Sequence, residues 1–204
     1  MIDRLTAWDS DALVWINSHN TPLLDWIMWI ASQPLSLALV LLSAFCLLTL
    51  RYEPRRWWVV LLAVLLCIFL ADRLSVMAFK EVFHRLRPCH VIDNLHMFRT
   101  NCGGLYGFVS SHAANVLSIS SFFVARYSCR KKAFRVSRRW LPAVLLTLWA
   151  ALVCYSRPYL GKHYPGDVVC GAVLGILIGI AVQFLARWLE THLPSSRPTP
   201  SDIQ

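Results

Sequence analysis

Two basic residues, Lys80 and Arg87, lie at the end of a long apolar stretch, and Pro88 follows directly. Because proline ends a helix, both cations are expected beside a helix terminus. A phosphoryl group carries its negative charge on three oxygens, and an arginine can donate to two of them at once. A basic cluster beside a membrane more often binds lipid headgroups, so this pair alone indicates anion binding and no particular reaction.

A second polar segment opens a later apolar stretch and contains Ser110, Ser111 and His112. The first N–H groups of a helix are free and lie at the positive end of its dipole, so they favour an anion. Ser110 could serve only as the N-cap of that helix. His112 is harder to explain structurally, because it would lie in the first turn of an apolar helix.

The third polar segment runs from Ser156 to Asp167 and includes Arg157 and His163. A carboxylate four residues after a histidine can accept the Nδ1 proton and leave Nε2 free to attack. A zinc site is the rival interpretation, but the candidate histidines lack the paired spacing of metal ligands: His84, His90, His112 and His163. The pattern favours nucleophilic catalysis without a metal or another cofactor.

The remainder of the chain is apolar enough to require a membrane. Of the 204 residues, 57% are hydrophobic, and the mean hydropathy is +0.52; soluble domains have roughly 45–50% apolar residues. Five apolar stretches approach the length of a spanning helix, about 20 residues: 35–50, 57–79, 110–125, 140–155 and 168–186. We predict an all-α, polytopic transmembrane bundle with about five spanning helices in a single membrane domain, residues 1–193.

Basic residues concentrate in two of the connecting segments. The net charge is +9, and half of the twenty basic residues fall within residues 51–56 and 126–139. Positive residues mark cytoplasmic loops, so the charge needs no nucleic-acid partner as its explanation. With both loops inside, residues 80–109 and 156–167 face outward, and these segments hold most of the polar residues described above.

The two ends of the chain differ from its centre. Residues 1–33 mix tryptophans with acidic residues and predict amphipathic interfacial helices on the outer surface. A crossing at residues 23–32 looks too short. The start lacks the pattern of a cleavable signal peptide and is expected to be retained. Residues 194–204 are rich in Ser and Pro and are predicted to be disordered.

Gly171, Gly175 and Gly179 recur every fourth residue in the last apolar stretch. Such a ridge lets a second helix approach closely, within the bundle or, alternatively, across a homodimer. The oligomeric state stays open.

Asp72 and Arg73 are ionisable residues at membrane depth, where charges need partners or a function. Structural ion pairs with other helices would explain them. A small transporter whose pathway includes Lys80 is the non-enzymatic alternative. It predicts that Asp72 is essential and His163 dispensable, whereas a hydrolase predicts the reverse.

Together the three polar segments resemble the type 2 phosphatidic acid phosphatase (PAP2) superfamily. Its signature is Lys-x6-Arg-Pro, then Pro-Ser-Gly-His, then Ser-Arg-x5-His-x3-Asp, and the order and spacing match. The resemblance implies a metal-independent membrane lipid phosphatase. It implies that His163 forms a phosphohistidine, that Asp167 orients it and that His112 protonates the leaving oxygen. The residues implied to hold the phosphate are Lys80, Arg87, Ser110, Ser111 (through its N–H) and Arg157.

The middle motif departs from the family pattern, since Val109 and Ser111 replace its proline and glycine. If the family needs a positive φ at this position, Ser111 would be strained. If the glycine only admits the phosphate to the backbone, Ser111 merely narrows the site. The contribution of the Ser111 amide is therefore open.

The cysteines predict one disulfide. Cys89 and Cys102 are the only two of the seven cysteines in the long outer segment. Four others lie in or beside apolar stretches, and Cys129 lies in a predicted cytoplasmic loop. The extracytoplasmic side favours oxidation, so we predict a bond between Cys89 and Cys102.

Residues 102–115 most resemble the lipid A 4'-phosphatase branch of the superfamily. This resemblance implies a bacterial inner (cytoplasmic) membrane protein with its active site facing the periplasm. Undecaprenyl diphosphate phosphatase and phosphatidylglycerophosphate phosphatase are the alternatives, because both would share this site. Phosphotransfer to an acceptor other than water also stays open.

Overall fold

The computed structural model describes residues 2–50, 52–127 and 140–192. Within these ranges the chain forms seven helices: α1 Ile2–Ser18, α2 Pro22–Ala31, α3 Pro34–Leu50, α4 Trp57–Phe83, α5 Ser111–Tyr127, α6 Trp140–Tyr159 and α7 Pro165–His192. The described residues contain no strand, and the predicted all-α class is confirmed. Arg51, most of the second basic segment, Cys129 and the tail of residues 194–204 lie outside the described residues.

Three helices are individually long and apolar enough to cross a membrane: α4, α6 (from Leu141) and α7. The pair α2 and α3 passes the same test only together, and it is bent by 61°. The predicted crossing at residues 35–50 therefore passes the test only together with α2, which belongs to the segment predicted to be interfacial. The break lies at residues 32–33, where Pro34 removes a backbone donor and prevents α2 from continuing.

The central helix α5 lies close to the apolar stretch predicted from the sequence, residues 110–125. Its described part has 17 residues, Ser111–Tyr127, and is therefore about 25 Å long. Most of its side chains are buried against α4, α6 and α7. Phe122 and Phe123 form the centre of the largest core cluster, which also contains Val60 and Cys67 of α4. The helix α5 is thus the central, most enclosed helix of the bundle.

The glycine ridge of α7 packs on α5, which confirms the prediction of close packing within the bundle. A Cβ atom on Gly171 would lie 2.5 Å from the backbone oxygen of Ser110. Cβ atoms on Gly175 and Gly179 would collide with the backbone oxygens of Ala114 and Ser118. Only glycine permits this approach, and it brings the first turns of α5 and α7 together.

The N-terminal helices lie against the bundle, with α1 on α6 and α7 and α2 on α6. Trp8 is 74% exposed, as expected for an interfacial helix. Asn17 and Asp25 belong to the segment predicted to be amphipathic and interfacial, yet both are buried. Asn17 donates to the backbone oxygen of Tyr159, and Asp25 accepts from the Tyr159 hydroxyl. These contacts fasten the N-terminal segment to the end of α6.

Charged residues at the far end of the bundle also turn inward. Arg126, counted above among the loop cations, is buried and donates to both Glu53 and Glu190. In contrast, Asp72 and Arg73 form no ion pair among the described residues, so the expected pairing with other helices was wrong. Both are exposed on α4, and the Arg73 guanidinium lies 5.8 Å from the centre of the Phe69 ring.

Candidate active site

Backbone contacts bring the three polar segments to one end of the bundle. The Ser110 amide donates to the backbone oxygen of Asp167 over 3.0 Å, which joins the start of α5 to the start of α7. The loop after α4 folds back on itself, since the Gly107 amide donates to the Arg85 oxygen and the Arg87 amide to the Leu105 oxygen. These bonds place the Arg87 side chain beside α7.

Two features hold this folded loop in place. Cys89 and Cys102, the pair expected to be bonded, form a disulfide with their Cα atoms 5.8 Å apart. Gly107 lies where a Cβ atom would be 3.2 Å from Cγ of Arg87 and 3.3 Å from Oδ2 of Asp167. A larger residue at 107 would therefore push apart two of the predicted site residues.

The side chains of His163 and Arg87 meet directly. Nη1 of Arg87 lies 3.1 Å from Nε2 of His163. A guanidinium can only donate, so Nε2 must be the acceptor and the imidazole proton lies on Nδ1. Nδ1 is 3.7 Å from Oδ2 of Asp167, which places the carboxylate behind the ring, just beyond hydrogen-bond reach. This is the tautomer that a nucleophilic Nε2 requires.

Burial keeps this histidine neutral. His163 is 2% exposed. Burial, together with the positive charges of Arg157 and Arg87, lowers the pKa of His163 well below its ordinary range. A neutral imidazole has a free lone pair on Nε2, so the ring is ready to attack at neutral and mildly acidic pH.

The other predicted cations lie around this histidine. Arg157 is 2% exposed and belongs to the last turn of α6. His112, in the first turn of α5, lies within electrostatic reach of Arg157, His163 and Lys80. Among the described residues, neither Arg87 nor Arg157 pairs with a carboxylate. Arg157 is buried and Arg87 half-buried, and cations in such surroundings are costly without a counter-ion, so this arrangement favours an anionic ligand.

The serines of the second segment have different roles. The Ser110 hydroxyl is fully buried and accepts from the Ala113 amide over 3.5 Å, which is the N-cap interpretation. The Ser111 hydroxyl accepts from Nζ of Lys80 over 2.6 Å and lies 2.8 Å from the hydroxyl of Ser75. Ser111 does not have a positive φ, so the strain considered for a serine at this position is absent.

Two neighbours of the site were missed in the sequence. Lys162 is half-buried beside His163, and burial plus the charges of Arg157 and Arg87 lowers its pKa to about 8. Arg85 lies between Lys80 and Arg87 and donates to Oδ1 of Asp167 over 2.7 Å. Both belong to quoted motifs, but the family signature leaves their positions open and therefore carries no signal for them.

Potential metal ligands group at one place in the described residues. Cys89, His90 and Cys102 have ligand atoms within 4.8 Å of one another. Since the two sulfurs are bonded to each other, only His90 keeps a free ligand atom. His84, His112 and His163 join no group of three ligands within the described ranges.

The described residues form a polytopic helical membrane protein in which a buried histidine lies beside several cationic side chains. A sequence model of the PAP2 superfamily matches residues 56–190. The chain belongs to the PAP2 superfamily, as the three motifs indicated.

Individual proteins of the superfamily are also similar to the chain. It is 29% identical to a lipid A 4'-phosphatase of Bacteroides thetaiotaomicron over 204 residues, which cover 98% of this chain and 86% of the relative. It is 29% identical to a lipid A 4'-phosphatase of Porphyromonas gingivalis, over 88% of this chain and 75% of the relative.

A solved structure has the same fold. The crystal structure of a transmembrane PAP2-type phosphatidylglycerolphosphate phosphatase of Bacillus subtilis superposes with a TM-score of 0.68, 19% identity, 95% coverage of this chain and 90% of that one. Together with the apolar helices, these findings make the protein a bacterial membrane lipid phosphatase, a phosphoric monoester hydrolase.

Proposed function

We propose that the protein removes the 4'-phosphate of lipid A at the periplasmic face of the inner membrane, through a phosphohistidine on His163. The observation that carries the mechanism is the contact of 3.1 Å between Nη1 of Arg87 and Nε2 of His163. It supports a nucleophile whose lone pair points at a phosphate-binding cation. The substrate is supported by the two relatives named lipid A 4'-phosphatase, one of them aligned over almost the whole chain.

The first step is an attack of Nε2 on phosphorus. In the bound state the Arg87 guanidinium moves its donors from Nε2 to the phosphoryl oxygens, which Lys80 and Arg157 also contact. A bond forms between Nε2 and phosphorus while the bond to the sugar oxygen breaks. His112, which takes up a proton from solvent when the anionic phosphate enters among the cations, donates that proton to the sugar oxygen. The carboxylate of Asp167 stabilises the positive charge that develops on the His163 ring.

The second step returns the enzyme to its starting state. Now unprotonated, His112 takes a proton from water, whose oxygen attacks phosphorus and displaces Nε2. Inorganic phosphate leaves, and His163 is again neutral with its proton on Nδ1. No residue other than His112 needs to exchange a proton with the reactants, and charge neutralisation by Lys80, Arg87 and Arg157 replaces the role that metal ions have in other phosphoryl transfers.

The proposed orientation follows from charge and from the position of the site. Arg55 and Arg56 lie at the start of α4, at the end of the bundle away from His163. Positive residues favour the cytoplasm, so the pocket faces the periplasm. The disulfide between Cys89 and Cys102 suits that compartment. We treat residues 1–193 as one membrane domain, in which α1 and α2 lie at the outer interface.

The substrate is tested with purified protein in detergent micelles. Lipid A, undecaprenyl diphosphate and phosphatidylglycerophosphate are supplied separately, phosphate release is measured, and mass spectrometry identifies which lipid A phosphate is lost. We expect the fastest release from the 4' position of lipid A. Release from the polyprenyl diphosphate or phosphatidylglycerophosphate alone would refute the proposed substrate while leaving the chemistry intact.

The nucleophile is tested with His163→Ala and with His90→Ala, a matched control on the exposed part of the outer loop. We expect no turnover from the first variant and normal turnover from the second. Rapid quenching of the wild type with labelled substrate should trap a phosphoprotein that is labile to acid and stable to alkali. Substantial phosphate release by His163→Ala would contradict the mechanism.

A further inference from the structure

A line of charged contacts runs from the proposed catalytic pair to the N-terminal helix. Oδ1 of Asp167 accepts from Nη1 of Arg85 over 2.7 Å, and Nη2 of Arg85 donates to Oδ2 of Asp9 over 2.6 Å. The other oxygen of Asp9 accepts from the Gly166 amide over 2.7 Å. Asp9 belongs to α1, outside the segment that matches the family model, residues 56–190.

The Arg85 guanidinium is restrained on three sides. Each terminal nitrogen is bound to a different carboxylate, and the group lies 4.0 Å from the centre of the Tyr164 ring. A Cβ atom at Gly166 would be 2.8 Å from Oδ2 of Asp9, so the glycine lets this carboxylate reach the start of α7. The geometry is that of a planar donor held in one orientation by groups from two segments, α1 and residues 164–167.

The position of Asp167 depends on this restraint. Its side chain is completely buried, with one oxygen on Arg85 and the other accepting from the Tyr164 amide over 3.0 Å. The same second oxygen lies 3.7 Å from Nδ1 of His163. If Arg85 moved, the carboxylate would rotate, and its distance to the histidine would change.

We infer that Asp9 and Arg85 are positioning residues of the phosphatase, and that α1 thereby completes the active site. Arg85 neutralises Asp167 and fixes its rotation, while Asp9 holds Arg85 between two carboxylates so that it does not draw Asp167 away from His163. Neither residue touches the phosphate in this scheme. The inference rests on the proposed roles of His163 and Asp167 and is independent of which lipid is the substrate.

The test compares Asp9→Asn with Asp11→Asn, measured on whichever lipid phosphate the wild type hydrolyses fastest. Asparagine keeps an oxygen that can accept from the Gly166 amide but removes the charge that holds Arg85. Asp11 lies on the same helix, is exposed and provides the matched loss of charge.

We expect kcat to fall on the order of tenfold in Asp9→Asn, because small misplacements of a catalytic group are costly. KM should stay within about twofold of the wild-type value, as for an interaction that acts only in the transition state. Asp11→Asn should match the wild type.

Two further variants separate positioning from simple support of the fold. Asp9→Glu keeps the carboxylate and should recover most of the lost kcat. The double variant Asp9→Asn with Arg85→Gln should be no slower than Arg85→Gln alone, because Asp9 acts through Arg85. These ratios are compared in detergent-purified protein with a matching unfolding temperature. If Asp9→Asn does not fold, Asp9→Glu, with kcat near the wild-type value, and Arg85→Gln, with reduced kcat, carry the test.

Three results would overturn the inference: wild-type kcat in Asp9→Asn, a rise in KM that accounts for the whole loss, or multiplicative losses in the double variant. Failure of the proposed function has a different signature. A wild-type protein that releases phosphate from another lipid refutes only the lipid A proposal, and a fully active His163→Ala refutes the chemistry.

Discussion

Arg87 offers the sharpest test of the site because its guanidinium already touches the proposed nucleophile. Nη1 lies 3.1 Å from Nε2 of His163 and 3.4 Å from the backbone oxygen of Lys162. In the proposed transition state, the N–H groups of the Arg87 guanidinium form two charge-assisted hydrogen bonds to phosphoryl oxygens. Each such bond contributes about 1.5–3 kcal/mol, so the pair contributes about 3–6 kcal/mol.

The expected losses in kcat/KM follow from this contribution to the free energy of the transition state. Arg87→Ala removes both bonds and should lower kcat/KM by about 10²–10⁴-fold, at about 1.4 kcal/mol per factor of ten. Arg87→Lys keeps the charge but only one of the two bonds, so its loss should be about 10–10²-fold. The assay is steady-state phosphate release in detergent micelles, and Arg73→Lys on the exposed face of α4 is the control. Equal activities of Arg87→Lys and the wild type would show that paired donation by Arg87 is not used.

Four further predictions concern pH (two of them), the unusual serine and the helix packing. Because the pKa of His163 is lowered well below 6.5, kcat/KM should stay constant as the pH falls through 6.5; a drop centred there would contradict the assigned neutral state. Burial and neighbouring arginines lower the pKa of Lys162 to about 8, so its side chain loses its positive charge above that pH. We therefore expect kcat/KM to fall as the pH rises through about 8. In Lys162→Arg this fall should occur at a higher pH. Ser111→Gly removes the hydroxyl that holds Lys80 at 2.6 Å; we expect an approximately fivefold loss of kcat/KM, or about 1 kcal/mol, and an unchanged rate would mean that Lys80 needs no such support. Gly175→Val should separate α5 from α7 and lower the unfolding temperature together with activity, whereas Val173→Ala on the exposed face of α7 should not.

The sequence by itself determined the membrane class and the family. Apolar stretches and glycine spacing reflect the immediate surroundings of each helix, so they can be interpreted without knowing the partners. The phosphate-binding and histidine motifs are likewise local, and their residue types restrict the reaction. Their order along the chain was sufficient to suggest that Lys80, His112 and His163 belong together.

Only the tertiary structure decided how those groups are supported. Asp9 is 158 residues from Asp167, and Arg85 joins them through contacts that leave no periodic pattern in the sequence. The burial of Asn17 and Asp25 likewise depends on the end of α6, which supplies Tyr159 as their partner. The bend between α2 and α3 was also invisible to hydropathy. Hydropathy describes single segments, whereas the neighbour that accepts a charge or covers a helix is fixed only when distant segments pack.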